Sequence, residues 1–104
     1  MKAVVFFTTF SSKMDAGRFA KWVVKEKLAA CVNILPGIES HYRWKGKVHN
    51  HREVLAIGKT TETGFKRIKG KLKDIHPYEV PELISLRIKD GSTKYLRWIS
   101  DNVK

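Results

Sequence analysis

At 104 residues, with 42% hydrophobic and 11% aromatic side chains, the chain can form one domain with a modest core and is too apolar to be disordered. Its single cysteine, Cys31, excludes an intrachain disulfide and fits a reducing compartment. No apolar run approaches membrane-spanning length and no secretory signal opens the sequence, so a cytoplasmic protein without membrane contact is expected. The net charge of +11 permits polyanion binding but serves solubility equally well.

Residues 3–9 are β-branched and aromatic and read as a buried central strand. Ser12, with Asp15 three residues on, caps a helix predicted over 13–29, whose Ala16, Phe19, Ala20, Val23, Val24 and Leu28 share a face. Cys31-Val32-Asn33-Ile34 is a short strand, bent or bulged at Pro36-Gly37. It resumes with strict alternation: Ile38, Ser40, Tyr42 and Trp44 on one side, Glu39, His41, Arg43 and Lys45 on the other. Gly46 marks a turn or an edge distortion, and His49-Asn50-His51 reads as polar chain near a turn. Glu53 to Thr60 is the return strand. Phe65, Ile68, Leu72 and Ile75 recur at helical spacing and predict one helix over 62–75, weakened by Gly64 and Gly70. Leu83 to Lys89 is a strand, Asp90-Gly91 a turn, and Ser92 the cap of a last helix bearing Tyr95, Leu96, Ile99 and Val103.

The order β-α-β-β-α-β plus a terminal helix predicts an α+β, ferredoxin-like antiparallel sheet over a single domain, 1–104. The middle hairpin, about 31–60, is longer than the other strands need. Exposed edges are usually covered, so a second subunit is expected to pair with it.

Between the second helix and the last strand lies His76-Pro77-Tyr78-Glu79-Val80-Pro81-Glu82. Its two prolines fix their own φ and push His76 and Val80 toward extended backbone. The stretch is either a rigid corner or a site. His76 and Cys31 are acceptable ligands for copper or zinc. A structural hydrogen bond for His76 and a core position for Cys31 are the alternatives. His49 and His51, two apart on an extended segment, point the same way and could hold a surface metal. Tyr42 and Trp44 suit an interface or a cleft between subunits, and Glu53 with Lys59 an interface ion pair. The acid–base candidates His76, Tyr78, Glu79, Glu82, Lys59 and Glu53 come with no nucleophile signature, phosphate loop or paired metal motif, so no enzyme is expected. An RNA-recognition module would need aromatics on its third strand; Glu53 to Lys59 has none, which argues against nucleic acid.

Several blocks fall together in one register: Ala29-Ala30-Cys31-Val32-Asn33-Ile34, Pro36-Gly37-Ile38, then Tyr42, Trp44, Gly46, Glu53 and Lys59-Thr60, the corner His76 to Glu82, and Tyr95-Leu96-x-Trp98-Ile99. Across nearly the whole chain this resembles the CutA1 divalent-cation tolerance family. The resemblance implies a ferredoxin-like homotrimer of the kind seen in PII signalling proteins, its long hairpins paired between neighbours. It implies binding of divalent metal, notably copper, a role in cation tolerance, and no organic cofactor. His76 and Cys31 are then the metal candidates, and Tyr42, Trp44, Glu53, Lys59, Tyr78, Glu79 and Trp98 the interface or pocket residues. The chain departs from some bacterial members, which carry a cysteine at the end of the first strand and a second histidine before the corner. Phe7 and Ile75 stand here, so only His76 of that copper site carries over. A trimeric scaffold or signalling protein, binding another protein or a small ligand at its subunit interfaces, is the alternative function.

Overall fold

The computed structural model describes residues 2–104. Its elements are β1 (Ala3–Phe10), α1 (Lys13–Lys25), β2 (Cys31–Trp44), β3 (Lys47–Thr61), α2 (Glu62–Gly70), α3 (Leu72–Ile75), β4 (Ile84–Arg87) and α4 (Thr93–Asp101). The four strands form one antiparallel sheet in the order β2-β3-β1-β4. This is the expected ferredoxin-like plan with an added terminal helix.

Alternation along the strands decides which side of the sheet carries the core. Val4, Phe6, Thr8 and Phe10 of β1 and Val54, Ala56, Gly58 and Thr60 of β3 are buried on one face. Phe19, Val23 and Ala16 of α1 and Ile68 of α2 pack onto it, with Phe6 edge-on to Phe19 at 6.1 Å. Gly58 lies under the Phe6 ring, where a Cβ would collide with it. The odd positions, Val5 and Phe7 of β1 and Leu55 and Ile57 of β3, lie on the opposite face and are only half-buried.

Helix α1 stops at Lys25, short of the expected 29. Lys27 adopts φ 59°, its N–H reaches Val24 O at 3.1 Å, and the Leu28 N–H reaches Val23 O at 2.8 Å. These two bonds make a Schellman cap, sealed by the buried Leu28. Lysine rather than glycine holds the left-handed position, so the sequence gives no stop signal there. The helix predicted over 62–75 is two pieces, α2 and α3, broken after Gly70, where the Lys71 N–H bonds Ile68 O at 3.1 Å. β4 is shorter than predicted: Ile84–Arg87 pairs with β1, and the contact ends with the Ile88 N–H on Ala3 O at 3.1 Å.

The β2–β3 hairpin dominates the outline, giving extents of 44 × 26 × 21 Å. Lys45 and Gly46 both have positive φ, 50° and 77°, as a two-residue type I′ turn requires. The turn therefore lies at 45–46. His49-Asn50-His51, expected near a turn, sits inside β3 opposite His41, Tyr42 and Ser40. At Pro36-Gly37 the register shifts: Leu35 pairs with Leu55, but Ile38 pairs with Glu53. Gly37, at φ 75°, is part of this bulge. Beyond it the even residues of β2, not the odd ones, share a side with the odd residues of β3.

Candidate functional site

The residues singled out in the sequence lie in three separate places. The first is the proline corner. The chain extends at His76 (φ −119°, ψ 130°), which tucks the imidazole under the sheet, 6% exposed and stacked on Phe10 at 4.3 Å. Its Nε2–H donates to Thr9 O at 2.8 Å, and its Nδ1 accepts the Tyr78 N–H at 3.2 Å. Both nitrogens are thus occupied and the ring is neutral. Burial lowers its proton affinity below the ordinary 6.5, against the opposing pull of the Thr9 carbonyl, Asp15 and Glu53.

Tyr78, held by that bond, donates its hydroxyl to Glu53 Oε2 at 2.6 Å. Burial, and then the bond to Glu53, raise its proton affinity. Glu82 is raised as well, by burial and then by the charge of Glu53. Glu79 is exposed beside them. Next to His76 a groove of about 550 Å³ is lined by Asp15, Arg18, Trp22 and Asp74. The corner is thus a relay of three bonds, Thr9 to His76 to Tyr78 to Glu53, which pins the loop to β1 and β3.

The second place is the far side of β2 and β3. Cys31 stands opposite Lys59 in the ladder. Its thiol is half-buried and lies 3.7 Å from the Tyr95 hydroxyl. That contact, and then burial, raise the phenol's proton affinity. Lys59 donates to the Asn33 side chain, while Tyr95 and Trp98 stack at 5.5 Å on the exposed side of α4. An ion pair between Lys59 and Glu53 does not form within the chain, since six strand residues, about 20 Å, separate them. Glu53 takes Tyr78 instead, and Lys59 takes Asn33. Neither Asn33 nor Tyr95 was a site candidate from sequence; the resemblance blocks that contain them were the available signal.

Cys31 and His76 are not brought together. Cys31 shares a ladder row with Lys59 and Val5, whereas His76 is bonded at Thr9, four residues along β1. Among the described residues no group of three or more His, Cys, Asp or Glu side chains converges as a metal cage.

The third place is the hairpin arm, where Tyr42 faces His49 and His51, and Trp44 lies under the Lys45 ammonium at 5.8 Å. A separate cavity of about 680 Å³ between β4 and α4 is lined by Lys2, Arg87, Lys89 and Arg97. Its charge suits anions and repels divalent cations.

Comparison with known proteins places this architecture. The model of the CutA1 divalent ion tolerance protein family matches residues 4–102. The divalent-cation tolerance protein CutA of Thermus thermophilus is 45% identical over 102 residues, 98% of each chain. A chloroplastic CutA 1 protein of Oryza sativa is 44% identical over 98% of this chain, which spans 58% of that longer protein. The solved Thermus thermophilus CutA1 structure superposes with a TM-score of 0.95 at 43% identity, covering 98% of this chain and 99% of that one. The family is described by ion tolerance and not by a catalysed reaction. With the family model matched over nearly its whole length and the fold superposed over 98% of it, the chain belongs to the CutA1 divalent ion tolerance protein family.

Proposed function

We propose that the chain works as a homotrimer that binds divalent cations, copper or zinc, in the service of cation tolerance. The observation that carries the assembly is the part of the far face of the sheet that α4 leaves open. Leu35, Ile84 and Leu86 are 50%, 54% and 58% exposed there, next to the half-buried Val5, Phe7 and Ile57. Contiguous apolar surface of this kind marks an interface. The hairpin arm extends beyond it with free strand edges that a neighbour's chain would pair. Tyr42, Trp44 and Trp98, all partly exposed, supply the aromatic surface that interfaces favour.

The cation-binding part rests on family membership and on the donors available. Cys31 offers a partly exposed thiol beside the Tyr95 phenol. His76 can ligate only by giving up the Tyr78 amide at Nδ1 or the Thr9 carbonyl at Nε2. Its first duty is therefore to hold the corner, and Cys31 is the more accessible of the two. Tyr78, Glu79 and Glu53 at the corner, and Lys59 beside Cys31, are placed to meet a neighbouring subunit. A lone thiol suits a reducing compartment such as the cytoplasm.

Light scattering of the metal-free protein tests the assembly: three times the chain mass is expected, and a monomer would refute it. Calorimetric titration with Cu(II) and Zn(II) tests the cation reading, which fails if neither ion binds.

A further inference from the structure

We propose that Tyr42, His49 and His51 form a transition-metal site of their own on the β2–β3 arm, taking Cu(II) ahead of Zn(II). The inference rests on the cation-binding reading for its biological use and on the geometry of the arm for its existence.

His49 and His51 are two apart on β3, so both side chains leave the same side of the strand. Across the ladder Tyr42 is the partner of His49, and Ser40 of His51. The bulge at Pro36-Gly37 makes this possible: were the register of Leu35 continued with every residue paired, His41 and Arg43 would face this side. The three rings form one cluster. Tyr42 stacks on His49 at 5.6 Å and meets His51 edge-on at 5.1 Å, and the two imidazoles are 6.5 Å apart.

The protonation of His51 is set for ligation. Its Nδ1 lies 3.1 Å from the Asn50 carbonyl, which can only accept, so the ring proton belongs on Nδ1. Nε2 is left with its lone pair, aimed at the Tyr42 hydroxyl. Metal-bound histidines are fixed in this manner, with one nitrogen donating to a carbonyl and the other ligating. Among the described residues the His49 side chain makes no hydrogen bond, so either ring nitrogen can turn to an ion. Two imidazoles in adjacent positions on a tetragonal or tetrahedral ion, at about 2.1 Å per nitrogen, hold their ring centres roughly 5 Å apart. From 6.5 Å that is a closure of about 1.5 Å, within reach of small χ rotations of side chains open to solvent. The Tyr42 oxygen is the third donor, and water completes the shell.

The surroundings choose the metal. Arg43, Lys45, Lys47 and Arg52 stand on the same arm, while Glu39 is engaged by His41 at 3.0 Å. A hard ion held by charge, such as Mg(II) or Ca(II), finds repulsion and no carboxylate. An ion that bonds to neutral imidazole accepts such a setting, and Cu(II) binds nitrogen donors more tightly than Zn(II).

The test is titration of the full-length protein with Cu(II), Zn(II) and Mg(II), using wild type, the double variant His49→Gln/His51→Gln, Tyr42→Phe and, as a control, His41→Gln. Wild type is expected to bind one Cu(II) per chain, Zn(II) more weakly and Mg(II) not at all. Loss of an outer-shell partner alone costs metal sites roughly 10–100-fold in affinity, so the double variant should lose at least that much. Tyr42→Phe should lose less than the double variant, and His41→Gln, whose ring leaves the other side of β2 and bonds Glu39, should keep wild-type affinity. Electron paramagnetic resonance of the copper form should show coupling to two imidazole nitrogens. If the double variant binds Cu(II) as wild type does, the arm site is overturned while cation binding stands. If wild type binds neither Cu(II) nor Zn(II), both readings fall.

Discussion

His76 shows how one residue can satisfy a sequence pattern and still change its meaning. Its type and its place before Pro77 in the proline corner marked it as a candidate ligand. Its bonding partners, the Thr9 carbonyl and the Tyr78 amide, are backbone groups, and no side-chain pattern announces them. The corner was legible as rigid; the relay through Tyr78 to Glu53 was not, because Glu53 lies on β3, twenty-five residues away from Tyr78. A consequence for pH follows. As pH falls past the ordinary 6.5, the unfolded chain protonates this imidazole while burial keeps the folded one neutral. The associated stability is therefore complete above that value and is lost between it and the lower folded value. His76→Gln should unfold more readily than wild type at pH 8, by on the order of 3 kcal/mol for the lost stacking and the amide left without its partner. Between pH 7 and pH 5.5 its midpoint should fall less steeply than wild type's. Urea melts across that range read both effects, and parallel slopes would show that the imidazole carries no such linkage.

At the scale of elements, local pattern was a good guide to type and a poorer one to ends. Period two revealed β2, and period 3.6 revealed the helices. The stop of α1 depended on Lys27 accepting a left-handed backbone, and the break between α2 and α3 on where Ile75 had to meet the core. Neither is a local property of the sequence. Gly58 looked like any glycine in a strand. It is in fact the floor on which the Phe6 ring lies, and Phe6 in turn meets Phe19 and Phe65. Gly58→Ala should displace that ring and cost about 1–3 kcal/mol through overpacking. A thermal melt that matches wild type would mean that the sheet can give way beneath it.

For the molecule as a whole, the sequence was explicit about topology and silent about the second face of the sheet, since alternation says only that two faces differ. Half-exposed Leu35, Ile84 and Leu86 make that face a surface in need of cover. Placing a charge there should separate copies without harming the fold. Leu86→Lys is expected to reduce the solution mass to that of one chain while far-ultraviolet circular dichroism stays unchanged; an intact trimer would move the interface elsewhere. The bulge at Pro36-Gly37 has a further consequence at this scale. It acts as a half-period phase shift between the rooted and the free parts of the arm. Everything proximal to it keeps step with the core, and everything distal keeps step with the tip. Removing Gly37 would take out the extra residue itself, so both halves would run on in one register and Tyr42 and Trp44 would still meet His49 and Lys47. The tip thus takes its pairing from the turn at 45–46 and the root takes its own from the core, and the bulge absorbs the one-residue difference between the two.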